Sequence, residues 1–184
     1  MKKIILLMVL FYFPFTLKAQ TTGPTLNETI EWMKTQLLAY GADIKKVDWN
    51  PDQRTLNIVY IKILDERQTS KGNLYLLEVI AVGNYIDHLN TANIVWKESE
   101  KNVGMEIYAV DGKFGSRLVS VQGFSSNVSG SNIIPDSEST KVNDRPYAKM
   151  NFQNSFNKDL QIRFTKAMKR LIYLCGGKVG PDTF

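Results

Sequence analysis

The chain has 184 residues, 43% hydrophobic and 22% charged, with 23 Lys and Arg against 18 Asp and Glu. Three of those basic residues (Lys2, Lys3 and Lys18) lie in the first 19 positions, and the remainder carries only about +2, which excludes the strong basic excess expected of a nucleic-acid binder. A single cysteine, Cys175, excludes an internal disulfide, so the fold must rest on packing.

Residues 1–19, MKKIILLMVLFYFPFTLKA, have the layout of a secretory signal peptide. Lys2 and Lys3 precede an apolar run from Ile4 to Phe15 that is broken only by Pro14. A run of about twelve residues is shorter than the roughly twenty needed to span a bilayer. Cleavage after Ala19 is expected to release a protein to the periplasm or the exterior with no stable membrane anchor. The mature part, 20–184, is long enough for one globular domain.

Residues 25–41 read as a helix. Thr25 and Glu28 have capping-box spacing, and Leu26, Ile30, Met33, Leu37 and Tyr40 share one stripe. Gly41 is suited to a left-handed end. Trp32 lies off the stripe. From Ile44 onward the period changes to two, and seven strands are expected at 44–49, 54–64, 74–82, 93–97, 104–110, 117–122 and 147–154. Turn signals such as NPDQ and DGKFG separate them. The segment NYIDHLN, 84–90, reads as one helical turn or a bend. Residues 123–146, rich in Ser, Asn and Asp, read as a long loop, and loops of that length are usually functional or disordered.

The last element, about 158–175, is an amphipathic helix. Leu160, Phe164, Ala167, Met168, Leu171, Leu174 and Cys175 fall on one arc, and Arg163, Lys166, Lys169 and Arg170 on the other. The basic arc reads as a solvated face, and Gly176 and Gly177 supply the cap. The expected fold class is therefore α+β: a mostly antiparallel, strongly bent sheet of about seven strands, with an N-terminal helix and a C-terminal amphipathic helix closing the core.

Motifs that carry chemistry are absent from the sequence. There is no P-loop, no Gly-rich dinucleotide turn and no nucleophile elbow. His88 stands alone, so a multi-histidine metal site is excluded within one chain. The acids show no calcium-loop spacing. Cys175, on an apolar arc at a helix C-terminus, reads as a buried thiol. Asn127-Val128-Ser129 matches a glycosylation sequon and reads as plain loop. No catalytic residue, cofactor or metal is assigned. The candidate contacts to a partner are Trp32, Ile133, Ile134 and Pro135, a lone aromatic and a short apolar patch in the long loop.

Seven strands followed by one amphipathic helix resemble the pleckstrin-homology-like superfold over roughly 44–175, in element order. The resemblance implies a bent sheet plugged by the last helix; a phosphoinositide role would need more cations than Lys45, Lys46 and Arg54 provide. The stretches TLNETIEWMKTQLLAYG and RFTKAMKRLIYLCGGK are also similar to the terminal helices of small exported bacterial proteins of unknown function. The resulting expectation is a non-catalytic binding or assembly module outside the cytoplasm, its partner a protein. The alternatives are a carrier of a small apolar ligand or lipid, and a carboxylate-based hydrolase.

Overall fold

The computed structural model describes residues 23–70, 72–128, 134–135 and 140–179. The expected signal segment 1–19 and Ile133 lie outside them, and Ile134 and Pro135 are described by their strand pairing alone. The element order is α1 (Leu26–Tyr40), β1 (Ile44–Asn50), β2 (Thr55–Thr69), β3 (Gly72–Tyr85), a 3-10 turn (Ile86–His88), β4 (Leu89–Glu98), β5 (Asn102–Ala109), β6 (Ser116–Ser125), β7 (Ile134–Pro135), β8 (Lys141–Arg145), β9 (Tyr147–Gln153) and α2 (Lys158–Leu174). The α+β class, the antiparallel pairing and both terminal helices are as expected.

The strands divide between two sheets rather than lying in one. The larger has the order β1-β2-β3-β6, with β7 and β8 both pairing with β6; the smaller is β4-β5-β9. Directly opposed residues share a face, so the register assigns the layers. In the small sheet Met105 opposes Met150, Ile107 opposes Ala148 and Val103 opposes Phe152, all buried. Both helices cover this face. Phe152 stacks on Phe156 at 4.2 Å and meets Phe164 of α2 edge-on at 5.0 Å. Trp96 of β4 donates its indole N–H to Thr165 of α2 at 2.9 Å, so the polar end of a half-buried ring is satisfied.

The amphipathic arc of α2 is buried as expected at Phe164, Met168, Leu171 and Cys175, while Arg163 and Lys166 face solvent. The rest of the expected pattern differs: Ile172 is buried, Leu160, Ala167 and Leu174 are only half-buried, and Lys169 and Arg170 of the basic arc are half-buried. The helix is gripped from two sides, by the small sheet and by α1, so its buried arc is wider than one seam. Gly176 takes φ +80 beyond the helix end, the left-handed position that suits glycine.

The capping box of α1 is present, with Glu28 N–H donating to Thr25 Oγ1 at 3.3 Å and Thr25 N–H to Glu28 Oε2 at 2.7 Å. The Glu28 carboxyl is accordingly held below its ordinary range. Gly41 corrects its expectation: it is extended, at φ −67, and the left-handed turn falls on Asp43 at φ 61. Glycine is needed at 41 because a Cβ there would strike Ile44 and the Leu37 carbonyl.

Two strand boundaries moved for a common reason. β2 runs on to Thr69 and β3 begins at Gly72, because a bulge between Ile63 and Asp65 lets the hairpin continue through polar residues. The expected long loop is shorter than 123–146: Gly123–Ser125 belong to β6, and Lys141–Arg145 form β8. The polar stretch KVNDR gains its strand from backbone pairing with β6, where Asp144 also accepts from Arg117 at 2.7 and 2.9 Å.

Candidate functional site

The helix-covered face of the small sheet shares one core with Leu56, Ile58 and Val82 of the large sheet, while Lys149 and Asn151, which alternate with Ala148, Met150 and Phe152 along β9, reach the large sheet at a separate place. At that place lies a cleft of about 160 Å³, lined by Tyr60 and Lys62 of β2, Ile80 and Val82 of β3, and Ser116 and Leu118 of β6. Arg145 of β8 and Lys149 and Asn151 of β9 complete it. The register explains the arrangement. Tyr60 opposes Ile80, Val82 opposes both Ile58 and Leu118, and Ser116 opposes Arg145. Lateral strand order thus places an apolar floor on the middle strands and polar side chains on both flanks.

The corner where β8 passes into β9 is tightly held. Gly115 N–H donates to Arg145 O and Ala109 N–H to Pro146 O, both at 2.8 Å. The Ser116 hydroxyl donates to Tyr147 O at 2.7 Å. A Cβ on Gly115 would come within 2.6 Å of the Tyr147 backbone, so this approach requires glycine. The backbone of Arg145 is therefore fixed at the cleft wall.

The charges in the cleft are unequal in freedom. Lys149 Nζ lies 3.3 Å from Glu106 Oε1, and Lys97 Nζ lies 2.5 Å from Glu106 Oε2. Those hydrogen bonds, Lys97's first, hold the nearly buried Glu106 carboxyl below its ordinary range against the opposing effect of burial. Lys62 and Arg145 have no ion pair among the described residues. Glu78 opposes Lys62 in register but accepts from the Ser120 hydroxyl at 2.7 Å and is not in the cleft wall. Tyr60 is only 9% exposed, and its hydroxyl has no hydrogen-bond partner among the described residues. Burial pushes its acidity well below that of an ordinary phenol, so it remains a donor. One row deeper, Asn84 donates to Leu56 O at 3.0 Å, and its Oδ1 has no partner among the described residues.

A second cleft, of about 430 Å³, is lined by Leu26, Trp49, Pro51, Arg54, Tyr173, Leu174, Cys175 and Gly176. Here Arg54 donates to the Cys175 carbonyl at 2.9 Å and lies 3.9 Å from Asp87. Cys175 is 4% exposed, and burial pushes its thiol up to about 11.

The partner contacts expected from the sequence, and His88, fall elsewhere. Trp32 is half-buried in the seam between the helices, 6.1 Å from the Phe164 ring, with the Arg163 guanidinium 5.8 Å over its indole. Ile134 pairs with Phe124 and Pro135 with Gly123 at the edge of the large sheet. The His88 ring meets Phe114 O through Nδ1 at 2.9 Å and stacks on Tyr85. The structure brings none of these into either cleft. The sequence reading missed Tyr60 and Arg145, and the available signal was a tyrosine and a lysine two apart on one strand face, in TLNIVYIKI. Among the described residues no group of three or more His, Cys, Asp or Glu is placed to hold a metal, and no helix is long and apolar enough to cross a membrane. The chain matches no protein family, no curated protein and no solved structure.

Proposed function

We propose that this is an exported, non-catalytic binding module that holds a small molecule in the cleft between its two sheets. The observation that supports the reading is the set of donors in that wall, Tyr60, Lys62 and Arg145, whose side chains have no hydrogen-bond or ion-pair partner among the described residues, around an apolar floor. A ligand acceptor would take up donors that otherwise face water, and hydrogen bonds from charged donors are the stronger ones. The apolar floor of Ile80, Val82 and Leu118 supplies area for the rest of a ligand, in the mixture usual for such sites.

The alternatives are less well supported. A hydrolase needs two carboxyl groups converging in a cleft; neither cleft has a carboxylate in its wall, and Glu106, Asp144 and Asp65 are each held by cations. A lipid carrier needs a long apolar cavity, whereas the centre is filled by Phe152, Phe156, Phe164, Met105 and Met150. The pleckstrin-homology-like likeness remains part of this proposal as element order, and a fold of that kind supplies no ligand by itself.

Protein-observed NMR with a mixed fragment library tests the reading. Hits should cluster on the amides of 60–62, 80–82, 116–118 and 145–151. Shifts confined to other surfaces would sink it.

A further inference from the structure

The cleft is asymmetric in chemistry across its width, and the asymmetry names a ligand class. The large sheet runs β2-β3-β6-β8. Its β2 flank presents Tyr60 and Lys62, its two middle strands present Ile80, Val82 and Leu118, and its β8 flank presents Arg145. The free polar groups at both flanks are donors: a phenol, an ammonium and a guanidinium. The Ser116 hydroxyl is already committed to Tyr147 O, and the Lys149 ammonium to Glu106. Asn151 is the one neutral amide in the wall. Two donor flanks separated by an apolar floor call for a ligand with acceptors at both ends and an apolar middle.

Resting on the cleft being the ligand site, we propose that it binds a short dicarboxylate with a compact apolar middle. One carboxylate meets Tyr60 and Lys62, the other meets Arg145, and the body lies on Ile80, Val82 and Leu118. A guanidinium can take a carboxylate with two parallel hydrogen bonds, and Arg145 is positioned for this by a backbone fixed on both sides at the β8–β9 corner. Preorganised donors lose little freedom on binding. The volume sets the size. A cavity of about 150 Å³ accepts benzene, and this one is about 160 Å³, so the middle is about six carbon atoms or fewer. Two of the nearby acids are neutralised by cations, and the third lies outside the cleft wall. Glu106 is shared by two lysines, Asp144 is held by Arg117, and Glu78 accepts from Ser120.

The test uses the purified protein, calorimetry and protein-observed NMR at constant ionic strength. The probes are adipate and terephthalate, with hexanoate and benzoate as one-ended controls and adipamide as the uncharged control. Adipate or terephthalate should bind at least about tenfold more tightly than its one-ended control, as expected for one extra charge-assisted contact. Shifts should appear at Tyr60, Leu118 and Arg145. Arg145→Gln and Lys62→Gln should each bring dicarboxylate affinity down about tenfold, to the level of the one-ended acid, and Tyr60→Phe should lower it about fivefold. Thermal melts and amide spectra of each variant confirm the fold, and three independent variants guard against one that misfolds. Equal affinity for one-ended and two-ended acids overturns the dicarboxylate assignment. Adipamide or neutral fragments binding in the cleft while the acids do not overturns the assignment and leaves the small-molecule reading standing. Silence of the cleft toward every probe, charged and neutral, overturns both.

Discussion

Arg54 and Arg145 each line a cleft, and the fold treats them differently. Arg54 sits at φ 49, a left-handed conformation that costs a non-glycine residue energy. Its side chain reaches across to the last turn of α2 and caps the Cys175 carbonyl, with Asp87 nearby. A helix C-terminus has carbonyls without intrahelical partners and a negative dipole end, and a guanidinium satisfies both. Arg145 sits on an ordinary strand, its backbone pinned by Gly115 and paired with Ser116, and its guanidinium has no ion pair among the described residues. The lesson is a criterion. A cation whose donors meet the fold's own acceptors is a structural part. A cation held in place by its backbone, with donors unspent, is available to something the chain does not contain.

The same division separates the two faces of the small sheet, and the largest test lies on the helix side. Phe164 is fully buried among Phe152, Phe156 and Trp32. Phe164→Ala should cost about 3–5 kcal/mol, from lost transfer energy and the cavity left behind. Chemical denaturation measures this. Where the variant remains folded, the amide shifts at Tyr60 and Arg145 should match the parent. A variant that perturbs the cleft as strongly as the core would break the claim that the two faces serve separate ends.

Glu106 is the next test, because it stands between the two kinds of charge. It is 5% exposed and shared by Lys97 and Lys149. Its carboxyl is depressed below the ordinary 4.5 in the folded state. The stability this contributes is therefore fully present above the unfolded value, and it is lost as pH falls through the lower folded one. Glu106→Gln should be less stable than the parent by about 1–2 kcal/mol at pH 7, since the Lys97 and Lys149 side chains are 58% and 39% exposed and partly screened. The two melting curves should converge only as pH falls below the ordinary glutamate range. A gap that stays constant from pH 7 to pH 3 would show that the carboxylate charge is not what matters there. The substitution also frees Lys149, so dicarboxylate affinity should hold or rise.

Local signals in the sequence were sufficient wherever contacts are local. The Thr25–Glu28 capping box, the arc of α2 and the alternating strands are set by neighbours a few residues apart, and all three are present. Failure began where backbone pairing overrides side-chain preference. KVNDR has no apolar alternation, yet it is β8 because β6 offers it an edge. The bulge at Ile63–Asp65 likewise carried β2 five residues beyond its apolar pattern. The division into two sheets was not legible, because it depends on which strand pairs with which. The cleft was hidden for the same reason. Tyr60 and Arg145 are 85 positions apart in the chain, and only the β2-β3-β6-β8 order places them across one floor. Trp32 drew notice as an off-stripe aromatic, and it is off-stripe because α1 packs on α2 as well as on the sheets.

The smallest expected effects compare the two arginines directly. Arg54→Ala removes a charged hydrogen bond to an otherwise unpaired carbonyl, but the guanidinium is about half exposed, so the cost should be about 1 kcal/mol. Part of that loss should be recovered in Arg54→Gly, because glycine takes φ 49 without strain. Arg145→Gln keeps a long polar side chain on the strand and breaks no ion pair, so its stability should stay within about 0.5 kcal/mol of the parent. If Arg145→Gln costs as much as Arg54→Ala, its guanidinium has a partner within the fold, and the distinction between the two residues fails. If it is silent in denaturation and strong in ligand titration, the residue is kept for binding. That outcome would make unspent donors on a fixed backbone the feature by which this cleft is recognised.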